Sequence, residues 1–418
     1  MLNRLSAPAF SKTFSFELPQ PEIIRLNDGL DFVFLSGLQQ EVFKFEIIFK
    51  AGKWWEPKKG VSHFTAIMLD KGTSIKSSRE IAGHFDYYGA QIEISPGYDF
   101  TSVSLYGLKK HFDKIFSLFW EILTGPSFPE NEFDLQKDIF IQNLRVNNEK
   151  NSFVASKIIR RNIFGANHPY GSSIEESDVS SVTINDISNY FNLHFSPFEI
   201  YLMGNFDEAR IQSITKRLSS FRRQNLEEPF FSLVKGPPIE KVIKSGSVQS
   251  SVRLGKQIIN RNHPDYFSLL LLNHILGGYF GSRLMKNIRE EKGLTYGIYS
   301  SLNPFKKDCM FSIGADVGKE KTDLALSEIK QELKKLADHL ISDEELVTAK
   351  NHFLGSLQLE VANPFASMDK IKSLRLNQLG SDYYKSLFES INRSDSNSLQ
   401  TIAEKYFSTN DLIEVSVG

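Results

Sequence analysis

The sequence predicts an α+β fold built from two homologous domains. Three observations predict it. The chain has 418 residues, more than the ~250–300 over which a single core usually grows. Its early segments alternate apolar and polar residues as half-buried strands do, and segments with helical apolar spacing follow them. The order of these segments in the first half returns in the second.

The strands come first. "GLDFVFLS" and "VFKFEIIFK" are rich in β-branched and aromatic residues, and Phe45, Ile47 and Phe49 share one face. Gly52 closes the second of these strands. The stretch from Gly60 to Thr73, "GVSHFTAIMLDKGT", reads as a helix. A second amphipathic helix spans roughly His111 to Leu123, where Phe112, Ile115, Phe116, Phe119, Trp120 and Leu123 form one apolar face. "TGPSFPENEFDLQKDIFIQNLRV" reads as a turn and then a long helix. Asn131, or Glu130 beside it, occupies the expected cap, and Glu132 and Asp134 suit the first turn.

The repeat is visible in three consecutive elements. The hairpin from Tyr88 is echoed from Tyr296, an offset of 208; the amphipathic helix is echoed by "KTDLALSEIKQELKKLADHL"; the helix entered at Phe128 is echoed from Ile341, an offset of 213. Between the halves, "RRQNLEEPFFSLVKGPPIEKVIKSGS" is rich in Pro, Gly and charge and has no helical period. The expected division is therefore 1–222, a linker at 223–246, and 247–418.

Composition is that of an ordinary globular protein, 41% hydrophobic and 24% charged, with 34 Phe. A net charge of −1 provides no global field for nucleic acid or an anionic membrane surface. The single Cys309 excludes an intramolecular disulfide framework. No run approaches the ~18 apolar residues of a membrane span, and "FSLLLLNHIL" contains Asn273 and His274. With no apolar signal region near Met1, a cytoplasmic chain is expected.

The helix at Gly60–Thr73 has the frame of a metal site. Ligands at i and i+4 lie one turn apart on one face, and a carboxylate at i+3 can serve as base for metal-bound water. The inverted zinc motif His-x-x-Glu-His has this form. Here that register reads His63, Phe64, Thr65, Ala66, Ile67. Only the first ligand is present. Ala66 accepts no proton and Ile67 has no lone pair. His84, His111 and His168 have no ligand spacing from which a site could be rebuilt.

The flanking residues are more specific than the motif. Gly60, His63, Phe64, Met68, Leu69, Lys71, Gly72 and Thr73 make the stretch resemble the pitrilysin and mitochondrial processing peptidase family, in its short two-domain bacterial type. The resemblance extends over the hairpin, the later helices and the second half. It implies a mostly antiparallel sheet packed with helices in each domain. The family's third zinc ligand, a glutamate in a later helix, falls on Asn143 of "IQNLR", 76 residues after Ile67. An amide is a poor substitute for a carboxylate on zinc.

"HILGGYFGSRLMKNIREEKGLTYGIYSSL" reads as a helix ending at Gly277–Gly278, a short helix from about Ser282 to Glu291, and a turn at Gly293 into a strand. Its "GGYFGSR" lacks the Gly-Lys-Ser/Thr ending of a phosphate loop. Arg289 and Tyr296 lie either side of Gly293 and can converge on one pocket, an Arg fork for a carbonyl and a Tyr hydroxyl for a developing oxyanion. Equally, Arg289 can pair with Glu290 or Glu291 and Tyr296 can pack at a core edge. The resemblance favours the first reading: an arginine and a tyrosine with this spacing form the family's substrate-binding pair.

Taken together, the resemblance implies a non-catalytic, substrate-binding subunit of a heterodimeric zinc endopeptidase acting on unfolded peptides. This chain would need no cofactor, and zinc would belong to a homologous partner subunit. In isolation the chain can pair with itself. Two rival expectations remain: a scaffold like the processing-peptidase-like core proteins of the respiratory complex, and a self-sufficient hydrolase with a rebuilt metal site.

Overall fold

A computed structural model describes residues 17–26, 29–38, 40–221 and 224–418. The first half runs β1 (Glu22–Arg25), β2 (Asp31–Leu35), β3 (Val42–Phe49), α1 (Val61–Ile67), α2 (Ser78–Tyr87), β4 (Gln91–Pro96), β5 (Thr101–Leu108), α3 (Phe112–Thr124), α4 (Glu130–Glu149), α5 (Asn151–Phe164), α6 (Glu176–Ser181), α7 (Ile184–His194), β6 (Pro197–Met203) and α8 (Glu208–Leu218). The second runs β7 (Ile239–Val242), β8 (Gln249–Ile258), α9 (Tyr266–Asn273), β9 (Thr295–Pro304), β10 (Cys309–Gly318), α10 (Thr322–Asp338), α11 (Asp343–Ala362), α12 (Pro364–Leu376), α13 (Tyr383–Arg393), α14 (Ser396–Tyr406) and β11 (Ile413–Val417). Two π-helical segments, His274–Gly278 and Met285–Glu291, lie between α9 and β9.

The two sheets share one plan. The first is ordered β1-β2-β6-β3-β5-β4 and the second β7-β11-β8-β10-β9. In each, one pair is parallel, β2 with β6 and β7 with β11, and the other pairs are antiparallel. The hairpins expected from Tyr88 and Tyr296 are β4–β5 and β9–β10, with β4 and β9 at the free edges. The duplication read from the sequence is therefore a duplication of architecture. β7 falls inside the stretch read as linker, 223–246; four residues without a helical period are too short for a pattern to reveal.

β3 shows why the central strand reads as it does. Phe43, Phe45, Ile47 and Phe49 enter the main core, while Lys44, Glu46 and Ile48 occupy the opposite face and are buried too. α3 covers the apolar face: Phe112 meets Phe43 at 4.9 Å, and Phe116 and Phe119 meet Phe45 at 5.0 and 5.8 Å. These rings cross edge-to-face, which adds about 0.5–1.5 kcal/mol per pair beyond burial.

The opposite faces are closed by an exchange. α5, from the first half, packs on β8 and β11 of the second sheet, with Arg253 of β8 donating to the Ser156 hydroxyl at 3.4 Å. α12, from the second half, packs on the first sheet through Met368 and Ile371. It brings Lys372 to Glu46 at 2.7 Å, Asp369 to Lys44 at 3.2 Å, and Arg375 to Asp31 at 2.6 Å and Glu199 at 3.3 Å. The hairpin tips also meet. Asp99 accepts from the Tyr170 hydroxyl at 2.6 Å and from the Lys306 backbone N–H at 3.1 Å.

Three local expectations are corrected. α1 stops at Ile67, and Met68–Asp70 form a turn instead of continuing to Thr73. α4 is capped by neither Asn131 nor Glu130. Pro129 holds the N-cap position, since its fixed φ starts a helix that its ring cannot extend backwards, and Glu130 and Glu132 fill the first turn. The expected short helix ending at Glu291 is wound as a π-helix over Met285–Glu291. Among the described residues no helix is long and apolar enough to cross a membrane.

Candidate functional site

The four degenerate zinc-motif positions are distributed over α1 and α4. Glu56 caps α1, accepting from the Gly60 N–H at 3.1 Å and the Ser62 hydroxyl at 2.8 Å. His63 is half-buried and meets the ring of Phe140 on α4 at 4.9 Å. Ala66 is fully buried in the core, Ile67 is half-buried against it, and Asn143 is exposed one turn beyond Phe140. Phenylalanine and hydrocarbon therefore surround the imidazole. Among the described residues no group of three or more His, Cys, Asp or Glu is placed to share an ion. One imidazole and one solvent-side amide do not fit a zinc site that needs three protein ligands.

The other histidines considered for that role lie in separate surroundings. His84 and His111 flank the ring of Tyr88 at 5.1 Å each, with His84 Nε2 3.2 Å from the Lys114 carbonyl. His168 is buried among Phe164, Tyr170 and Trp54, and its Nδ1 accepts the Tyr170 N–H.

Burial pushes the His63 pKa down from 6.5 to about 4. The unfolded chain therefore takes up a proton at higher pH than the folded chain. The stability that neutral His63 contributes is full above pH 6.5 and is lost as pH falls through that window towards 4. Burial lowers His168, His194 and His274 as well, so the acid loss is shared. His63→Phe is expected to flatten the fall in unfolding free energy between pH 6.5 and 4. Denaturant melts across that range measure it, and a slope identical to wild type refutes the assignment.

Arg289 and Tyr296 do converge. In the segment Met285–Glu291 the Lys292 N–H reaches back five residues to the Asn287 carbonyl at 3.0 Å. Gly293, at φ +58°, then lets the Leu294 N–H close on the Ile288 carbonyl at 2.9 Å. This bond spans six residues, one more than the Schellman closure of an α-helix, and like that closure it turns on the left-handed residue that glycine supplies. The chain enters β9 at once. A bulge opposite Asp316 follows, where the Thr295 hydroxyl donates to the Asp316 carbonyl at 2.6 Å and accepts the Gly297 N–H at 3.2 Å. The extra residue at the bulge is re-aimed, and Tyr296 is 90% exposed.

The guanidinium of Arg289 lies between two aromatic faces, 5.1 Å from the Tyr296 centroid and 4.7 Å from that of Phe280. Neither Glu290 nor Glu291 pairs with it. Among the described residues it makes no ion pair or hydrogen bond. The two rings fix its position and leave its five N–H donors for a ligand. Tyr296 also lines a cleft of about 600 Å³ along the edge of β9, with Leu294, Tyr299, Asp316, Glu320 and Lys321. Phe280, 61% exposed, is the residue that sequence reasoning missed. An aromatic held between glycines in "GGYFGSR" was the available signal.

Comparison with known proteins gives a consistent result. Residues 35–177 match the family model described as Insulinase (Peptidase family M16), and residues 181–353 match the Peptidase M16 inactive domain. An uncharacterized zinc protease of Bacillus subtilis, YmxG, is 26% identical over 351 residues, covering 82% of this chain and 84% of its own. An uncharacterized zinc protease of Rickettsia felis is 24% identical over 347 residues, covering 80% and 82%. Two solved structures share the fold. A peptidase M16 inactive domain from Pseudomonas fluorescens has a TM-score of 0.88 at 22% identity, covering 96% of this chain and 98% of its own. A protease from Helicobacter pylori has a TM-score of 0.87 at 18% identity, covering 96% and 100%.

Proposed function

From the premise that the chain belongs to the M16 peptidase family, we propose that it is the non-catalytic, substrate-binding member of a heterodimeric zinc endopeptidase. Its domains would be 1–222 and 247–418, joined by 223–246. Its partner would be a homologous subunit carrying an intact His-x-x-Glu-His and the zinc. The observation that carries the reading is a contrast within one chain. The α1 register offers a single metal donor, whereas Arg289 is held between Phe280 and Tyr296 with no acceptor among the described residues.

In this role Arg289 grips a carbonyl of an extended, unfolded peptide. That carbonyl is the scissile one, and the guanidinium and the Tyr296 hydroxyl both donate to its oxygen as it gains charge when the partner hydrolyses the peptide bond. The Bacillus and Rickettsia relatives bear the name zinc protease. A catalytic role here would require a base in place of Ala66 and ligands in place of Ile67 and Asn143.

The test is co-purification from native extract, then a peptidase assay with an unstructured peptide on the complex and on the chain alone. The complex is expected to cleave, the partner to contain the intact motif, and the solitary chain to be inert. Cleavage by the solitary chain, abolished by His63→Ala, would overturn the reading.

A further inference from the structure

A cleft of about 510 Å³ opens where the hairpin tips of the two halves meet. The first half lends it Phe100, between β4 and β5. The second half lends Arg261 after β8, Leu302 and Lys306 of the β9–β10 hairpin, and Leu376 at the end of α12. Tyr296 lies at the other end of β9. Ligand pockets of ~300–1,000 Å³ favour junctions between domains and combine apolar walls with a few polar groups.

Two cations line this cleft without a carboxylate partner. Lys306 is half-buried, and its ammonium lies over the rings of Phe100 and Phe198 at 5.1 and 5.9 Å. Among the described residues that ammonium makes no hydrogen bond or ion pair, and burial lowers its pKa. The guanidinium of Arg261, also half-buried, donates to the Ser373 hydroxyl at 3.1 Å and to no carboxylate among the described residues. The two side chains spring from adjoining backbone, because the Asn260 amide donates to the Phe305 carbonyl at 3.0 Å.

The negative groups around the cleft are already engaged. Asp99 gives one carboxylate oxygen to the Tyr170 hydroxyl and the other to the Lys306 backbone N–H. The carbonyls of Ser373, Leu374 and Arg375, at the end of α12, accept from the N–H groups of Asn377, Leu379 and Gln378. Counter-charge for the two cations is left to a ligand.

We propose that this cleft binds a small aromatic carboxylate, its charge on Arg261 and Lys306 and its ring against Phe100, Leu302 and Leu376. Charge-assisted hydrogen bonds fix the carboxylate. Such a ligand touches both halves, so it holds them together and raises the melting temperature by mass action. The inference does not depend on the substrate-binding role argued above.

Calorimetric titration of the full-length chain with N-acetylphenylalanine tests it. One equivalent is expected to bind, with affinity falling as salt rises. N-acetylphenylalaninamide, which lacks the carboxylate, is expected not to bind. Lys306→Met keeps the stem over the rings and the backbone N–H on Asp99, and removes only the charge. Arg261→Gln removes the guanidinium. Each is expected to weaken binding about tenfold or more, and the apo melting temperature of Lys306→Met should match wild type. A short peptide ending in phenylalanine separates two sources of the ligand. Binding as tight as that of the acetylated residue assigns the cleft to peptide C-termini, and exclusion of the peptide assigns it to a free carboxylate. No uptake of N-acetylphenylalanine, equal binding of the amide, or undiminished affinity in Lys306→Met overturns the proposal and leaves the substrate-binding reading intact.

Discussion

Replacing Arg289 by alanine is expected to lower peptide turnover of the assembled complex by about 100- to 1,000-fold without loosening the assembly. The magnitude is that of removing one preorganised donor aimed at developing charge, about 2.7–4 kcal/mol of transition-state stabilisation. Folding should hardly register the change. Among the described residues, the partners of the Arg289 guanidinium are the exposed rings of Phe280 and Tyr296, and exposed cation–π contacts contribute only about 0.5–1 kcal/mol. Tyr296→Phe separates the hydroxyl from the ring: it keeps the stack on Arg289 and removes the donor alone. It should reduce kcat while leaving the mixed complex and its melting temperature intact. Phe280→Ala opens one side of the stack, so its effect should appear mainly in KM. Steady-state kinetics on the purified complex decides. Wild-type kcat/KM in both Arg289→Ala and Tyr296→Phe would remove the pair from the mechanism.

Arg375→Ala is expected to produce the largest loss of stability, near the lower end of the ~3–5 kcal/mol that breaking a buried ion pair costs. Arg375 on α12 donates to Asp31 at 2.6 Å and to both oxygens of Glu199 at 3.3 Å. Glu199 is buried, and among the described residues its other side-chain partner is the Tyr201 hydroxyl. Without the guanidinium, a carboxylate is stranded against the first sheet. Asp31 retains Arg25 at 2.8 Å and is partly solvated, which limits the loss. Arg375→Lys preserves the charge but not the fork, and should recover part of the stability. Chemical denaturation measures both variants. A loss under ~1 kcal/mol for alanine, the range of a surface pair, would show that solvent replaces the guanidinium.

The sequence disclosed what is periodic. β3 and α3 each carry their own apolar face, and the repeat offset carried the plan of one sheet over to the other. What it hid is what pairs at a distance. Nothing in "SMDKIKSLRL" indicates that Asp369, Lys372 and Arg375 face Lys44, Glu46 and Glu199, because partners some hundreds of residues apart leave no local period. The charges inside β3 were the one visible sign, since Lys44 and Glu46 interrupt an otherwise apolar strand that is covered on both faces. The π-helical winding before Gly293 was not legible, because nothing in the residue spacing distinguishes a five-residue hydrogen bond from a four-residue one. The convergence of Arg289 and Tyr296 was legible through Gly293, whereas the second ring on the guanidinium required the turn at Phe280 to be folded first.

The exchange of α5 and α12 has a consequence for biosynthesis. The ribosome delivers the first sheet long before it delivers the helix that shields Lys44, Glu46 and Glu199. Until residue 376 has emerged, that side of the nascent chain stays open to water and to chaperones. α5 waits in turn for β8 and β11 of the second half. Maturation therefore finishes as one late clasping event, and separately expressed halves would each retain an uncovered flank.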